Sequence, residues 1–208
     1  MKIIVCCEGP NDVGPIICFL KRCVNTKKID VECETHKSIK NTKIYHNIKN
    51  NRVGMIKKLY ALALIKDSNH IGYHQDTDDN EFIDVYDAIK NVFGLVVSKK
   101  IKWMPIVPQK TMESWLLSDK KAYQNITRKP SLPSAPEEIW GSFRDPNGNH
   151  PKKYFMRIFA QNNILLNRKT YTQIAENTNI EVLKSRCPKS FGQFYTDVQS
   201  FIKEDSTL

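Results

Sequence analysis

Glycine is scarce in this 208-residue chain, eight residues against ten prolines, and its six cysteines include no Cys-x-x-Cys pair. The first shortage leaves no glycine-rich phosphate loop, since Gly9 is followed by Pro10. The second leaves no zinc-ribbon spacing, and the five histidines do not complete one. No segment approaches the roughly 20 consecutive apolar residues that span a bilayer. The opening run Met1–Cys7 is broken by Glu8 and Asp12, short of an export signal, so the expectation is a cytoplasmic protein whose cysteines stay as thiols. Residues 67–87 contain no Lys or Arg at all, against seven acids, whereas residues 20–66 hold 12 basic and only 3 acidic side chains.

What is there describes an ordinary globular chain: 40% hydrophobic and 26% charged residues exclude disorder, collagen and small disulfide scaffolds. At this length folding buries roughly 70% of the surface exposed by the unfolded chain, enough for a core without staples. Thirty-two basic against twenty-two acidic residues give a formal net charge of +10 and a pI near 9.3, which favours a polyanionic partner such as nucleic acid. The acidic island reads either as a solvated loop and helix start or as a divalent-cation site facing a basic surface that holds a phosphate backbone.

Ile3–Cys7 is a continuous apolar run closed by Glu8-Gly9-Pro10, as in a strand buried on both faces. Asn11 or Asp12 can cap a helix carrying Val13, Ile16, Ile17, Leu20 and Val24 on one face. Alternation over Ile29–Thr35 predicts a second strand, residues 39–51 a loop, and Val53, Ile56, Leu59, Tyr60, Ala63 and Leu64 a second helix. A strand at His70–Gln75, a helix from Phe82 ended by Gly94, an edge strand at Ile101–Val107 holding Pro105, and a helix Met112–Ser118 capped by Thr111 follow. This order predicts an α/β core over residues 1–119 with a largely parallel sheet flanked by helices. Residues 120–208 read as a proline-rich connection and a helical C-terminal extension packed on the core, with Phe191, Phe194, Tyr195, Val198, Phe201 and Ile202 at helical spacing. Trp103, Trp115 and Trp140 read as packing residues.

Open parallel sheets bind ligands beyond the carboxyl ends of their strands. Glu8 follows the first strand, and Asp76, Asp78 and Asp79 follow the third. Carboxylates gathered there form the oxygen-rich environment that Mg²⁺ or Mn²⁺ selects. In extended chain Asp76 and Asp78 point the same way. The alternatives stay open: Asp12 as cap or ligand, Asp78 or Asp79 as cap of the next helix, Glu113 as second-metal ligand or exposed acid. Lys110 is placed to stabilise developing negative charge.

Glu8-Gly9-Pro10-Asn11-Asp12 after the first strand and Asp76-Thr77-Asp78 after the third resemble the TOPRIM domain of topoisomerases, primases and OLD-family nucleases. The resemblance implies a Rossmann-like fold, Glu8 as general acid or base at a phosphodiester, and the Asp pair as Mg²⁺ ligands. The segment Pro108–Asp119, with Pro151-Lys152-Lys153 and Cys187-Pro188-Lys189-Ser190-Phe191, is similar to small TOPRIM-like proteins often encoded beside an ABC-type or SMC-like ATPase and associated with phage defence. One departure is His74-Gln75, where that family carries aliphatic residues.

The resulting expectation is a Mg²⁺- or Mn²⁺-dependent nuclease acting on DNA or on a structured RNA such as tRNA, with an ATPase partner, no membrane association, and self-association left open. Lys40, Lys43, Lys49, Arg52, Lys57 and Lys58 are the expected phosphate contacts. The competing readings are a non-catalytic module that binds nucleic acid or the ATPase, and metal-dependent nucleotidyl or glycosyl transfer.

Overall fold

The computed structural model describes residues 1–24, 29–37, 52–127, 140–144 and 149–205. Lys40, Lys43, Lys49 and the loop expected over residues 39–51 lie outside them, as does most of the proline-rich connection. The elements are β1 (Lys2–Cys7), α1 (Val13–Val24), β2 (Asp30–Thr35), α2 (Arg52–Ile65), β3 (His70–His74), α3 (Phe82–Val96) and β4 (Lys102–Ile106), then α4 (Met112–Ser118), α5 (Lys120–Thr127), α6 (Pro151–Gln161), α7 (Arg168–Asn177), α8 (Ile180–Arg186) and α9 (Phe191–Asp205).

The four strands form one all-parallel sheet in the order β2-β1-β3-β4. Its apolar strands are explained by burial on both faces. Along β1, Ile3, Val5 and Cys7 join one core with α1, α4 and the C-terminal helices, while Ile4 and Cys6 join the other with α2 and α3. β4 is an edge strand, which suits Pro105: it pairs with Tyr73 on one side and lacks an N–H to offer on the other. Among the described residues no helix is long and apolar enough to cross a membrane.

Three local expectations need correction. Gly94 does not end α3, which runs on to Val96; Gly94 lies exposed, and a Cβ there would meet nothing within 4 Å, so nothing forces a break. On α2, Val53 and Leu64 are exposed, and the buried face is made by Met55, Ile56, Leu59 and Ala63. The helix α5 has no counterpart among the expected elements, because Lys120–Thr127 is largely polar and begins directly after Asp119.

The C-terminal helices share a core with the sheet. Phe191 packs edge-on against Phe19 at 5.4 Å and Trp115 at 5.0 Å, and Trp115 Nε1 donates to Ser190 Oγ at 2.7 Å. Arg22 Nη1 donates to the Ala175 carbonyl at 2.8 Å, and Gln199 Nε2 to that of Cys23 at 2.8 Å, tying α1 to α7 and α9. The six cysteines are free thiols, and four of them are buried: Cys6, Cys7, Cys23 and Cys187.

Candidate active site

β1 leads to β2 on one side and is flanked by β3 on the other, so the chain reverses its direction of travel across the sheet between β1 and β3. A crevice opens at such a switch point, at the carboxyl ends of the strands. Glu8 and Asp76 stand directly on those two ends and touch: Asp76 N–H donates to Glu8 Oε2 at 2.9 Å. Asp12 reaches the same place because the turn after β1 folds back, its Oδ2 accepting from Gly9 N–H at 2.8 Å while its carbonyl accepts the first helical bond of α1 from Ile16 at 3.0 Å. Its carboxylate therefore faces the strand ends rather than capping α1.

His74 lies fully buried beneath these acids. Its Nδ1 accepts the Glu8 N–H at 3.2 Å and lies 3.8 Å from Asp12 Oδ2, and its Nε2 stands 3.3 Å from Asp76 Oδ1. Accepting at Nδ1 belongs to the neutral ring, whose proton then sits on Nε2 toward Asp76, whereas the charged ring gives up that bond and turns an Nδ1 proton toward Asp12 Oδ2. Burial opposes charge on the ring, but the contact with Asp76 and the fields of Asp12 and Glu8 outweigh it and raise its pKa to about 9. Burial raises the carboxyls of Asp12 and Asp76 above the usual range, with His74 pulling each back down. Asp12 and Asp76 through their carboxylates, and Glu8 through its backbone, thus all meet at His74.

Asp78 and Asp79 do not join them. Asp78 adopts a left-handed backbone, φ 50°, which ends the extended geometry that would align it with Asp76. The charges acting most on its carboxyl, after burial, are those of His150, Asp79, Lys152 and Lys110. Asp79 Oδ1 accepts from Phe143 N–H at 3.3 Å and sits 3.7 Å from Lys110 Nζ. The loop is clasped to the segment after β4: Asp78 N–H donates to the Lys110 carbonyl at 2.9 Å, and Lys110 N–H, itself at φ 63°, to Thr77 Oγ1 at 2.7 Å. Asp76 Oδ1 also accepts from Met112 N–H at 3.1 Å, at the start of α4.

Glu113 is not an exposed acid. It is 5% exposed, and the Tyr171 hydroxyl donates to its Oε1 at 2.7 Å. Arg52, at the start of α2, donates through Nε to Gln75 Oε1 at 2.9 Å, which sets its guanidinium beside the strand ends. Lys57 is exposed farther along that helix. His150 escaped the sequence reading although Pro151, a helix-starting residue, marks it as the N-cap of α6. Its Nδ1 accepts from Lys152 N–H at 3.3 Å, and its Nε2 is buried without a partner. Gln109 Oε1, Thr111 Oγ1 and Ser114 Oγ, on the segment clasped to the acidic loop, are likewise buried and unpartnered. Orphan polar atoms are rare in folded proteins.

Among the described residues, no group of three or more His, Cys, Asp or Glu side chains could hold a metal ion. Comparison with protein-family models, curated proteins and solved structures finds no match to this chain.

Proposed function

We propose that the crevice between β1 and β3 is the active site of a Mg²⁺- or Mn²⁺-dependent nuclease of TOPRIM type. The observation that carries this reading is the convergence of Glu8, Asp12 and Asp76, from two separate loops, at the topological switch point of a parallel sheet. Partly buried carboxylates are hard oxygen donors, so the chemistry of the set suits a divalent cation, without a closed cluster of three that would enclose one among the described residues. Glu8, Asp12 and Asp76 would hold it. Bound there, it would supply charge neutralisation at the scissile phosphate.

The remaining roles fall to the chain itself. Glu8, exposed at the mouth, is the group that takes a proton from the attacking water or returns one to the leaving oxygen. His74 fixes the Glu8 backbone and the Asp76 carboxylate, so it is a positioning residue. Lys110, leaning on Asp79, brings an ammonium to the rim where negative charge develops, and Arg52, held by Gln75 just past β3, adds a guanidinium. A basic chain with an acidic site meets an acidic substrate in this way. The resemblance to phage-defence proteins supports an ATPase partner.

The competing reading, a non-catalytic binding module, draws on the fact that Asp12, Asp76 and Glu8 already accept hydrogen bonds from Gly9, Met112 and Asp76 backbone amides. Cleavage of labelled single-stranded DNA and tRNA in Mn²⁺ separates the two. Glu8→Gln keeps size and one acceptor oxygen but cannot shuttle a proton, so at saturating Mn²⁺, which offsets the weaker hold of a site with one carboxylate fewer, the rate is expected to fall roughly 100- to 10,000-fold. Undiminished cleavage by this variant removes Glu8 from the chemistry.

A further inference from the structure

A second feature lies along the outer edge of β4, and the carboxylates do not account for it. There α3, β4 and α9 border an open groove of about 470 Å³. Three ammonium groups line it, those of Lys90, Lys99 and Lys102, together with the rings of Tyr86 and Trp103. Its one carboxylate, Asp197, is already engaged, accepting from the Tyr86 hydroxyl at 2.8 Å and from Gln193 Nε2 at 2.9 Å. Lys90 and Lys99 are exposed, and Lys90 Nζ stands 5.4 Å from the centre of the Tyr86 ring. Trp103 is not sealed in the core as Trp115 is: half-buried, it stacks on Phe93 at 4.9 Å with the rings 11° apart, which holds the indole rigid where it borders the groove.

Cations set beside rigid aromatic rings are what an unpaired nucleic-acid strand requires, ammonium groups for successive phosphates and a π-surface for an unstacked base. A duplex offers the phosphates but keeps its bases stacked inside. The volume suits one nucleotide-sized unit. We propose that this groove binds a segment of single-stranded nucleic acid, with its phosphates on Lys90, Lys99 and Lys102 and a base against Trp103. That the strand continues toward Glu8 and Asp76 rests on the nuclease reading, whereas binding in the groove does not. β4 connects the two places, its five residues spanning about 16 Å from the lysines to the strand ends.

The test is fluorescence anisotropy of the full chain with a labelled oligothymidylate of about 12 nucleotides, and with a duplex of equal length, in EDTA so that no divalent cation takes part. Lys90→Glu with Lys99→Glu is expected to weaken single-strand binding at least about tenfold and, at about 0.7 per phosphate contact, to flatten the slope of log K against log salt by about 1.4. Trp103→Leu is expected to weaken it by roughly 5- to 150-fold while affecting the duplex far less. Unchanged affinity and slope in the lysine variant would overturn the proposal. So would equal losses for both nucleic acids with no effect of Trp103→Leu, the signature of diffuse charge attraction. Lost binding in the groove variants beside no cleavage of either nucleic acid by the wild type in Mn²⁺ would uphold the groove and sink the nuclease reading. The opposite pattern would do the reverse.

Discussion

The hydroxyl of Tyr171 on α7 donates to Glu113 Oε1 on α4 at 2.7 Å, in a place closed to solvent. A carboxylate buried on a short helix is thereby satisfied by a residue 58 positions away, and the C-terminal helices become part of the wall behind the acidic crevice. The field of Glu113 reaches Asp12, whose carboxyl it raises further.

Tyr171→Phe leaves Glu113 buried without that donor. The expected loss of stability is about 1–3 kcal/mol, read as a fall of several degrees in Tm. Glu113→Gln, which keeps an acceptor oxygen for the tyrosine, is expected to lose less. Equal losses would show that shape at Glu113, and not its hydrogen bond, matters.

Divalent cation should raise Tm if Glu8, Asp12 and Asp76 hold it; at 100 times Kd the gain is about 2.7 kcal/mol. Asp76→Asn is expected to abolish the rise in Mn²⁺. Asp78→Asn, on a residue turned away by its left-handed backbone, should keep most of it. The reverse ranking would restore the aligned Asp-x-Asp pair.

Gly14 on α1 lies against α7, where a Cβ would come 1.8 Å from Thr172 Oγ1 and 3.0 Å from Thr172 Cβ. The hydroxyl can rotate only by giving up its 2.8 Å bond to the Arg168 carbonyl. Gly14→Ala is therefore expected to cost about 1–3 kcal/mol in urea unfolding, with Thr172→Ala in the same chain recovering most of it.

Asp197 gives a pH dependence of known sign. Burial raises its carboxyl above the usual range despite the bonds from Gln193 and Tyr86 that favour the ionised form. The fold thus prefers the protonated acid, and stability from this group is full below the unfolded value near 3.9 and is lost as pH rises through the higher folded value. Asp197→Asn removes that loss. Measured by urea unfolding across pH, the wild-type curve should fall relative to the variant above about pH 4; parallel curves would mean that Asp197 ionises equally in both states.

The sheet was legible because Ile3–Cys7 has no polar residue to spare, and because even the weaker His70–His74 is bracketed by turn formers and an acid. The edge position of Pro105 followed from its missing N–H. Glu8 and Asp76 were legible as strand-end acids. The pairing of Asp76 with Asp78 failed for a local reason: Asp78-Asp79-Asn80 is a turn-forming run, and such residues tolerate the left-handed region. Glu113 was singled out but its burial was not, and His150 was not singled out at all. The partner of Glu113 comes from α7, and His150, which feels Asp78 and Asp79, follows the proline-rich connection, so neither placement carries a periodic signal.

The crevice draws on Glu8, His74, Lys110 and Glu113, but Glu113 is completed by Tyr171, and the core behind it by Phe191 against Phe19 and Trp115. Synthesis delivers a chain from its N-terminus at about 5–20 residues per second. A nascent chain that has already made every acid of the crevice still lacks the tyrosine and the aromatic wedge behind them. Maturation of the site therefore waits until Tyr171 and Phe191 have been made, and a product truncated before Tyr171 would carry the acids without the architecture that sets them.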